Sequence, residues 1–379
     1  MTQEEKFKLA QKHAPILWLH EKEAFLPEDC KVLVEISDLY RRGQKERTEH
    51  QPGSLEDLGR IPQSEDCYLN IRDLDMQGFL VPEAYQNRIP ELGPEAVSHL
   101  AREKYGYDFA SSGIPADNPS VPKYYFRVSE ATIDAERDDP FTRYFRDVDP
   151  GIFGKYQLIE YFLYFVFNDA WNKHESDWDS LIELYIKEDR KYMVNHFHHC
   201  KWASQWPSSS PDLRTWLKEW NSLKKNEIGK AYVINDHPYA FVALGAHGGY
   251  PTPGFTLHGL NLPGIITRDD FLANSDERPI GHLCLLPEEI DEDLIRTNLR
   301  FANIAVNKLR FGQWQEPELV ENQPWLEYKG QWGENTKYLG WGGPQNPPIS
   351  RPPNRNSLKE AIQSGYKSGS ILNNWHGVR

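Results

Sequence analysis

A nearly unbroken run of aromatic and aliphatic residues extends from Ile159 to Phe167. Because a strand that is buried on both faces reads as continuous hydrophobic residues, this run predicts a central β-strand. Asn168 and Asp169 end the run, and a polar loop follows them. Apolar alternation then returns up to Ile186, which predicts a second strand beside the first.

Shorter patterns predict the remaining elements. Strands are predicted at 16–19, 124–128, 191–200 and 239–244, and helices at 1–14, 211–225, 287–310 and from Asn356 onward. This alternation of short strands and turns predicts a mainly β protein, with an antiparallel β-sandwich core and peripheral helices, α+β overall. Residues 1–150 are expected to form a β-rich portion packed on a core of residues 151–379. One continuous domain is the alternative.

Composition narrows the classes of partner. The chain of 379 residues has a formal net charge of -13 without a long basic block, which argues against nucleic acid and against docking on anionic lipid. The sequence contains no apolar stretch of about 18 residues, so no membrane span is predicted. The 4 cysteines are widely spaced, which favours reduced thiols, and the N-terminus lacks an apolar signal core. We therefore expect a soluble, cytoplasmic protein.

The loop and second strand bring three potential metal ligands, His174, Asp177 and Asp179, into six residues. Strand alternation would point both carboxylates to one side, and Trp178 and Ile182 to the other. Carboxylates with a nearby imidazole suit a divalent cation. A solvated acidic loop in a hairpin is the alternative interpretation.

Histidines recur further along the chain. The stretch 191–200 contains His196, His198 and His199, and the turn AHGGY holds His247 between small residues. Glycines let a bound group approach closely, and a histidine titrates near neutral pH and can move a proton. His198, His199 and His247 are therefore candidate acid–base groups or further ligands. For His247, a purely structural turn is the alternative.

Several motifs occur in one order along the chain: HAPILWLHEKEAFLPED near the start, HESDWD, AHGGY, and YKGQWG followed by GPQNPP near the end. In this order the chain resembles the vacuolar protein sorting-associated protein 62 family over nearly its whole length. Its middle also resembles the necrosis- and ethylene-inducing-peptide-like proteins. These have a β-sandwich with a G-H-R-H-D-W-E motif, a divalent metal and a later H-G-x-Y turn.

The second resemblance implies a set of metal ligands. His174, Asp177 and Asp179 match the first His, the Asp and the final acid of the motif, and Asp169 stands where an upstream Asp ligand is expected. His247 matches the later His of that family. Ser176 stands where the motif has its second His.

Two classes of function are expected from these residues. The first is a divalent-metal-dependent enzyme, a hydrolase or lyase, that uses Lewis-acid and histidine acid–base chemistry on a small-molecule, lipid or glycan substrate. The second is a non-catalytic, metal-dependent protein of trafficking or cytolysin type that binds a lipid headgroup or glycan. The ligand types do not distinguish magnesium, calcium, manganese, zinc and iron.

Overall fold

The fold was analysed in a computed structural model of the chain. It describes residues 1–18, 27, 29–42, 46–62, 64–71, 107–108, 114–115, 123, 125–136, 140–168, 174–197, 200–207, 215–216, 219, 228–234, 236–242, 247–251, 255–256, 282–283, 317–333, 347 and 357–362. Strands predominate in this part of the chain. The expected mainly β class is therefore confirmed.

Seventeen strands, β1 to β17 in chain order, occur in the described residues: Ile16–Trp18, Ser37–Arg41, Cys67–Ile71, Tyr107–Asp108, Ile114–Pro115, Tyr125–Ile133, Gly154–Asn168, His174–Lys187, Arg190–Phe197, Cys200–Gln205, Gly229–Lys230, Val233–Ile234, His237–Val242, Gly249–Tyr250, Phe255–Thr256, His282–Leu283 and Glu318–Leu319. Helices α1 to α4 are Gln3–His13, Lys31–Ile36, Leu55–Leu58 and Pro140–Val148. Residues 357–362 are also helical. None of the described helices combines the length and apolar character needed to cross a bilayer.

The largest sheet has seven strands in the order β11-β10-β9-β8-β7-β6-β17. Strands β6 to β10 are antiparallel neighbours, and the short strands β11 and β17 run parallel at the two edges. The predicted central strand is β7, which lies between β6 and β8. Strand β6 comes from before residue 150 and β7 to β11 from after it, so both portions of the chain share this sheet.

A four-stranded sheet contains β1, β13, β12 and β14. Its strand β14 contacts β8 and β9 of the seven-stranded sheet, and α1 contacts both sheets through β13 and β6. Helix α1 begins with a capping box, in which Thr2 and Glu5 bond each other's backbone amides. Through the contacts of β14, the four-stranded sheet places the turn before β14 against β8.

A cluster of large aromatic side chains fills the core at one end of the seven-stranded sheet. Trp178 lies at its centre, with ring centroids 4.7 Å from Tyr164 and 5.5 Å from Tyr125. Trp325 and Trp332 complete this aromatic cluster from residues 317–333, which we call the C-terminal strap. The strap pairs with β6 through β17 and bonds β3 through Gln331, so it joins two separate sheets.

The alternation expected along β8 is interrupted. Leu163 pairs with Ser180 but Phe165 pairs with Asp177, so β8 advances three residues while β7 advances two. Such a β-bulge reverses the alternation beyond it. Asp177 therefore lies on the same face as Ile182, contrary to the expectation that they point to opposite sides. Trp178 packs on Tyr164, on the other face.

The other predicted elements are mostly found where the structure describes them. Helix α1 and strands β1, β6, β9 and β13 match the predictions at 1–14, 16–19, 124–128, 191–200 and 239–244, with boundaries that differ by a few residues. Residues 357–362 are helical, which agrees with the helix expected from Asn356 onward. The predicted helix at 287–310 and most of that at 211–225 lie outside the described residues. Cys30 and Cys67 are buried cysteines that do not form a disulfide with each other.

A substitution at Gly59 tests how α3 packs on the C-terminal strap. A Cβ atom at Gly59 would overlap the backbone carbonyl of Pro324, which cannot move aside as a side chain does. We expect Gly59→Ala to lower the free energy of unfolding by about 1–3 kcal/mol, measured by urea denaturation. Gly53→Ala is the control, because its Cβ would meet only the side chain of Asp57 at 3.4 Å. Equal stability of the two variants would contradict this contact.

Candidate functional site

Asp177 and His247, which are 70 residues apart in sequence, form a buried pair. The Nδ1 atom of His247 lies 3.0 Å from Oδ2 of Asp177, and the two residues are 0% and 1% exposed. A carboxylate oxygen only accepts hydrogen bonds, so Nδ1 carries the proton and donates it. In the neutral ring Nε2 then keeps its lone pair, which can take a proton or bind a metal ion.

The imidazole of His247 is held in one orientation. It stacks on the ring of Phe165 with 3.9 Å between centroids and 5° between planes. Phe165 is the register partner of Asp177, so one strand pair provides both the stacking surface and the acceptor. Asn168 at the end of β7 donates from Nδ2 to the same Oδ2 of Asp177, at 3.2 Å. The carboxylate is thus fixed by two donors.

Backbone strain is concentrated at this pair. In the described residues, positive φ occurs outside glycine at Ser176, Asp236 and His247, with values of 59°, 64° and 54°. Ser176 directly precedes Asp177, so two of these three residues adjoin the pair. A non-glycine residue in this region costs about 1–3 kcal/mol and commonly marks a functional site.

His174 and Glu175 lie at the start of β8 and are both buried. Nδ1 of His174 is 3.1 Å from the carbonyl oxygens of Glu175 and Ser176, so it donates to the backbone and leaves Nε2 as the lone-pair nitrogen. The Glu175 carboxylate accepts from the backbone N–H of Ile71 at 2.7 Å. That bond ties the end of β3 to the same region.

The predicted site residues are thus only partly brought together in the structure. Asp177 and His247 are in contact, and His174 begins the same strand. Asp169, His198, His199 and the side chain of Asp179 lie outside the described residues, so the four-ligand set stays a prediction. Among the side chains that are described, no group of three or more His, Cys, Asp or Glu converges as a metal site would.

Two members of the site had no assigned role in the sequence. Asn168 was recognised only as the end of a strand, and Phe165 only as part of a hydrophobic run. An amide at the last position of a buried strand, just before a polar loop, is the one local signal for Asn168. The stacking role of Phe165 depends on the register between β7 and β8, which spacing alone does not reveal.

Comparison of the chain with protein-family models, with curated proteins and with solved structures finds no match in any of the three. The chemistry of the site therefore rests on its own geometry.

Proposed function

We propose that the chain is a divalent-metal-dependent enzyme, a hydrolase or lyase, that works at the Asp177–His247 pair. The seven-stranded and four-stranded sheets would face each other as a β-sandwich with the site at one end. The substrate would be a small molecule, a glycan or a lipid headgroup. The observation that supports this proposal most directly is a buried, stacked imidazole with a carboxylate behind it. Such an arrangement is the usual support of a histidine that transfers protons.

The residues of the pair have complementary roles in this proposal. Asp177 holds the proton of His247 on Nδ1 and stabilises the imidazolium that forms when Nε2 takes up a proton. Phe165 and the backbone turn keep the ring from rotating, and Asn168 keeps the carboxylate in place. The pair itself is almost completely buried, which strengthens each of these interactions. His247 would therefore act as the general base, and then as the general acid.

The residues present are compatible with a cation. A metal-bound histidine usually donates its other ring N–H to a carboxylate or a backbone carbonyl, and His247 and His174 donate in these two ways. Both would bind through Nε2, with Asp169 and Asp179 as further proposed ligands. Because Oδ2 of Asp177 already accepts two hydrogen bonds, we propose that Asp177 orients His247. A bound cation would supply Lewis-acid polarisation of a substrate oxygen.

The alternative is the non-catalytic protein that binds a lipid headgroup or glycan through the same ion. A binding rim would expose its histidine to the ligand, whereas His247 and Asp177 are almost completely buried. This burial favours the enzyme. Metal binding without turnover of any substrate of the three classes would favour the alternative.

The metal is tested first by its effect on stability. We expect the purified protein to contain a divalent cation by elemental mass spectrometry. Removing a ligand held at a hundredfold excess over Kd costs about 2.7 kcal/mol, so a chelator should lower the melting temperature. His247→Asn should lose both the metal and the response to chelator. Asn tolerates positive φ and can still donate to Asp177, so this substitution keeps the turn and the bond to Asp177 while it removes the imidazole and its stacking on Phe165.

His237→Asn is the matched control for that variant. His237 lies on β13, and its Nδ1 is 2.9 Å from the carbonyl oxygen of Ala14, away from the candidate site. It should keep the metal content and chelator response of the unmodified protein. Full metal content in His247→Asn would remove His247 from the metal site. If the unmodified protein contains no metal and a chelator leaves its melting temperature unchanged, the proposal that the protein binds a divalent cation is wrong.

A further inference from the structure

A cleft lies between helix α1 and the end of the seven-stranded sheet at which β7 begins. Its volume of about 470 Å³ is in the range of about 300–1,000 Å³ that is usual for small-molecule sites. Gln157 lines it near the start of β7, whereas Phe165, on which His247 stacks, is about 26 Å further along that strand. The cleft is therefore separate from the candidate site. We call it the basic cleft, because four lysines are among the residues that line it: Lys12, Lys155, Lys187 and Lys191.

One side of the basic cleft is a row of register partners across four strands of the sheet. Glu130 on β6 pairs with Gln157 on β7, which pairs with Ile186 on β8, which pairs with Lys191 on β9. Lys155 is two residues before Gln157 on β7, so it points to the same side. Adjacent strands are about 4.8 Å apart, which places the backbones of the acidic and the basic end of the row about 14 Å apart.

Helix α1 provides the other side of the basic cleft through its last turn. Lys12 is exposed there, and His13 is buried. Burial and the charge of Lys191 lower the pKa of His13 to about 4, so this ring is neutral near physiological pH. Its Nδ1 lies 3.3 Å from the carbonyl oxygen of Asp236 and donates to it. The positive charge of the cleft therefore comes from its lysines.

Two of these lysines have charged neighbours. Nζ of Lys191 lies 2.8 Å from Oδ1 of Asp236, which offsets its charge. Lys187 donates to a backbone carbonyl oxygen, and Asp189, which is 3.8 Å from Lys187, is also 3.5 Å from Arg190. A carbonyl oxygen is neutral, and Asp189 is shared between two cations. Lys187 therefore keeps much of its positive charge.

The remaining charges of the cleft sum to a positive value. Lys12 and Lys155 are exposed and add to the charge of Lys187. Glu130 and Glu188 are the acidic side chains among the described residues that line the cleft. Three lysines thus face two glutamates, in a chain whose net charge is -13. An anion is therefore favoured here over the rest of an acidic surface.

We propose that the basic cleft binds the phosphate group of a soluble small molecule. Lysine ammonium groups are compact point charges with rotatable donors, and here they come from α1, β7 and β8. Donors from several sides suit a tetrahedral, doubly charged phosphate, whereas a planar carboxylate is matched best by the fork of an arginine. The net negative charge of the chain disfavours an anionic membrane surface as the source of the phosphate.

Phenyl phosphate is the probe for this site, and phenol is its uncharged control. Isothermal titration calorimetry at low salt should show saturable binding of phenyl phosphate and no binding of phenol. Lys12→Gln and Lys155→Gln should each weaken binding about two- to fivefold, as expected for exposed ion pairs, and added salt should weaken it further. Glu130→Gln should strengthen binding, because it removes a repelling charge, and a gain in affinity cannot come from a damaged fold.

Lys31→Gln is the matched control. It removes the charge of an exposed lysine whose Nζ faces Asp29 at 3.9 Å, outside the cleft, so it should leave binding unchanged. If phenyl phosphate does not bind, or if all the lysine and glutamate variants bind it alike, the proposal is wrong.

Two further results would overturn the proposal. If His247→Asn abolishes binding while Lys12→Gln and Lys155→Gln retain it, the phosphate binds at the candidate site instead. If the protein binds phosphatidylcholine vesicles that contain phosphatidic acid, but does not bind phenyl phosphate, the ligand is a membrane surface and not a soluble molecule.

Discussion

Replacing Arg127 with Met should lower the free energy of unfolding by about 3–5 kcal/mol, because it leaves the buried carboxylate of Glu160 without its partner. The loss should be larger at pH 8 than at pH 5. At low pH the Glu160 carboxyl, whose pKa is already raised by burial, can take up a proton and become neutral. Urea denaturation at the two pH values measures both effects.

Two further variants define the origin of that loss. The double variant Arg127→Met/Glu160→Leu removes the unpaired buried charge of Glu160 as well, and should recover most of the lost stability. Arg190→Met breaks the ion pair with Asp149, in which both side chains are about a quarter exposed, and should cost about 1 kcal/mol or less. A double variant as unstable as Arg127→Met alone would contradict the argument from buried charge.

Trp178→Ala should lower the free energy of unfolding by about 3–5 kcal/mol, because it opens a cavity at the centre of the aromatic cluster. Among the described residues the indole N–H has no hydrogen-bond partner, so no described hydrogen bond is lost with the ring. Trp178→Phe keeps one ring and should lose less. Denaturation followed by far-ultraviolet circular dichroism measures both variants without relying on tryptophan emission.

Trp206 provides the comparison for that variant. Its side chain is half-buried, and Lys191 lies over its ring at 4.8 Å. Trp206→Ala should therefore cost clearly less than Trp178→Ala. If the two losses were equal, the aromatic cluster would not be the main packing centre at this end of the sheet.

Local pattern was sufficient to predict six of the seventeen described strands, among them the two longest, and helix α1. The run from Ile159 to Phe167 predicted an interior strand because hydrophobic residues on both faces require cover on both faces. The alternation in the following stretch predicted its neighbour. The β-bulge in β8 was not predicted, because the residue types around Asp177 show no break in the pattern although the register with β7 shifts there. One inserted residue then changes which face the carboxylate occupies.

The candidate site, too, was predicted only in part from the sequence. The glycine-rich turn singled out His247, since a histidine held by such a turn faces something specific. Its contact with Asp177 depends on how the small sheet lies against β8, which no spacing in the sequence encodes. The buried ion pair of Arg127 and Glu160 was missed for a related reason. Its two members come from different strands, and their contact depends on the register between β6 and β7.

The C-terminal strap has a consequence for the order of folding. Strands β6 to β10 are joined to neighbours in sequence, so they can pair as soon as they leave the ribosome. The edge next to β6 and the cover over Trp178 and Tyr164 come from residues 317–333, which are synthesised much later. Until then, this hydrophobic surface is exposed in the nascent chain, where it can bind chaperones or aggregate. A chain that ends before residue 317 should therefore remain bound to chaperones, while the full chain is released.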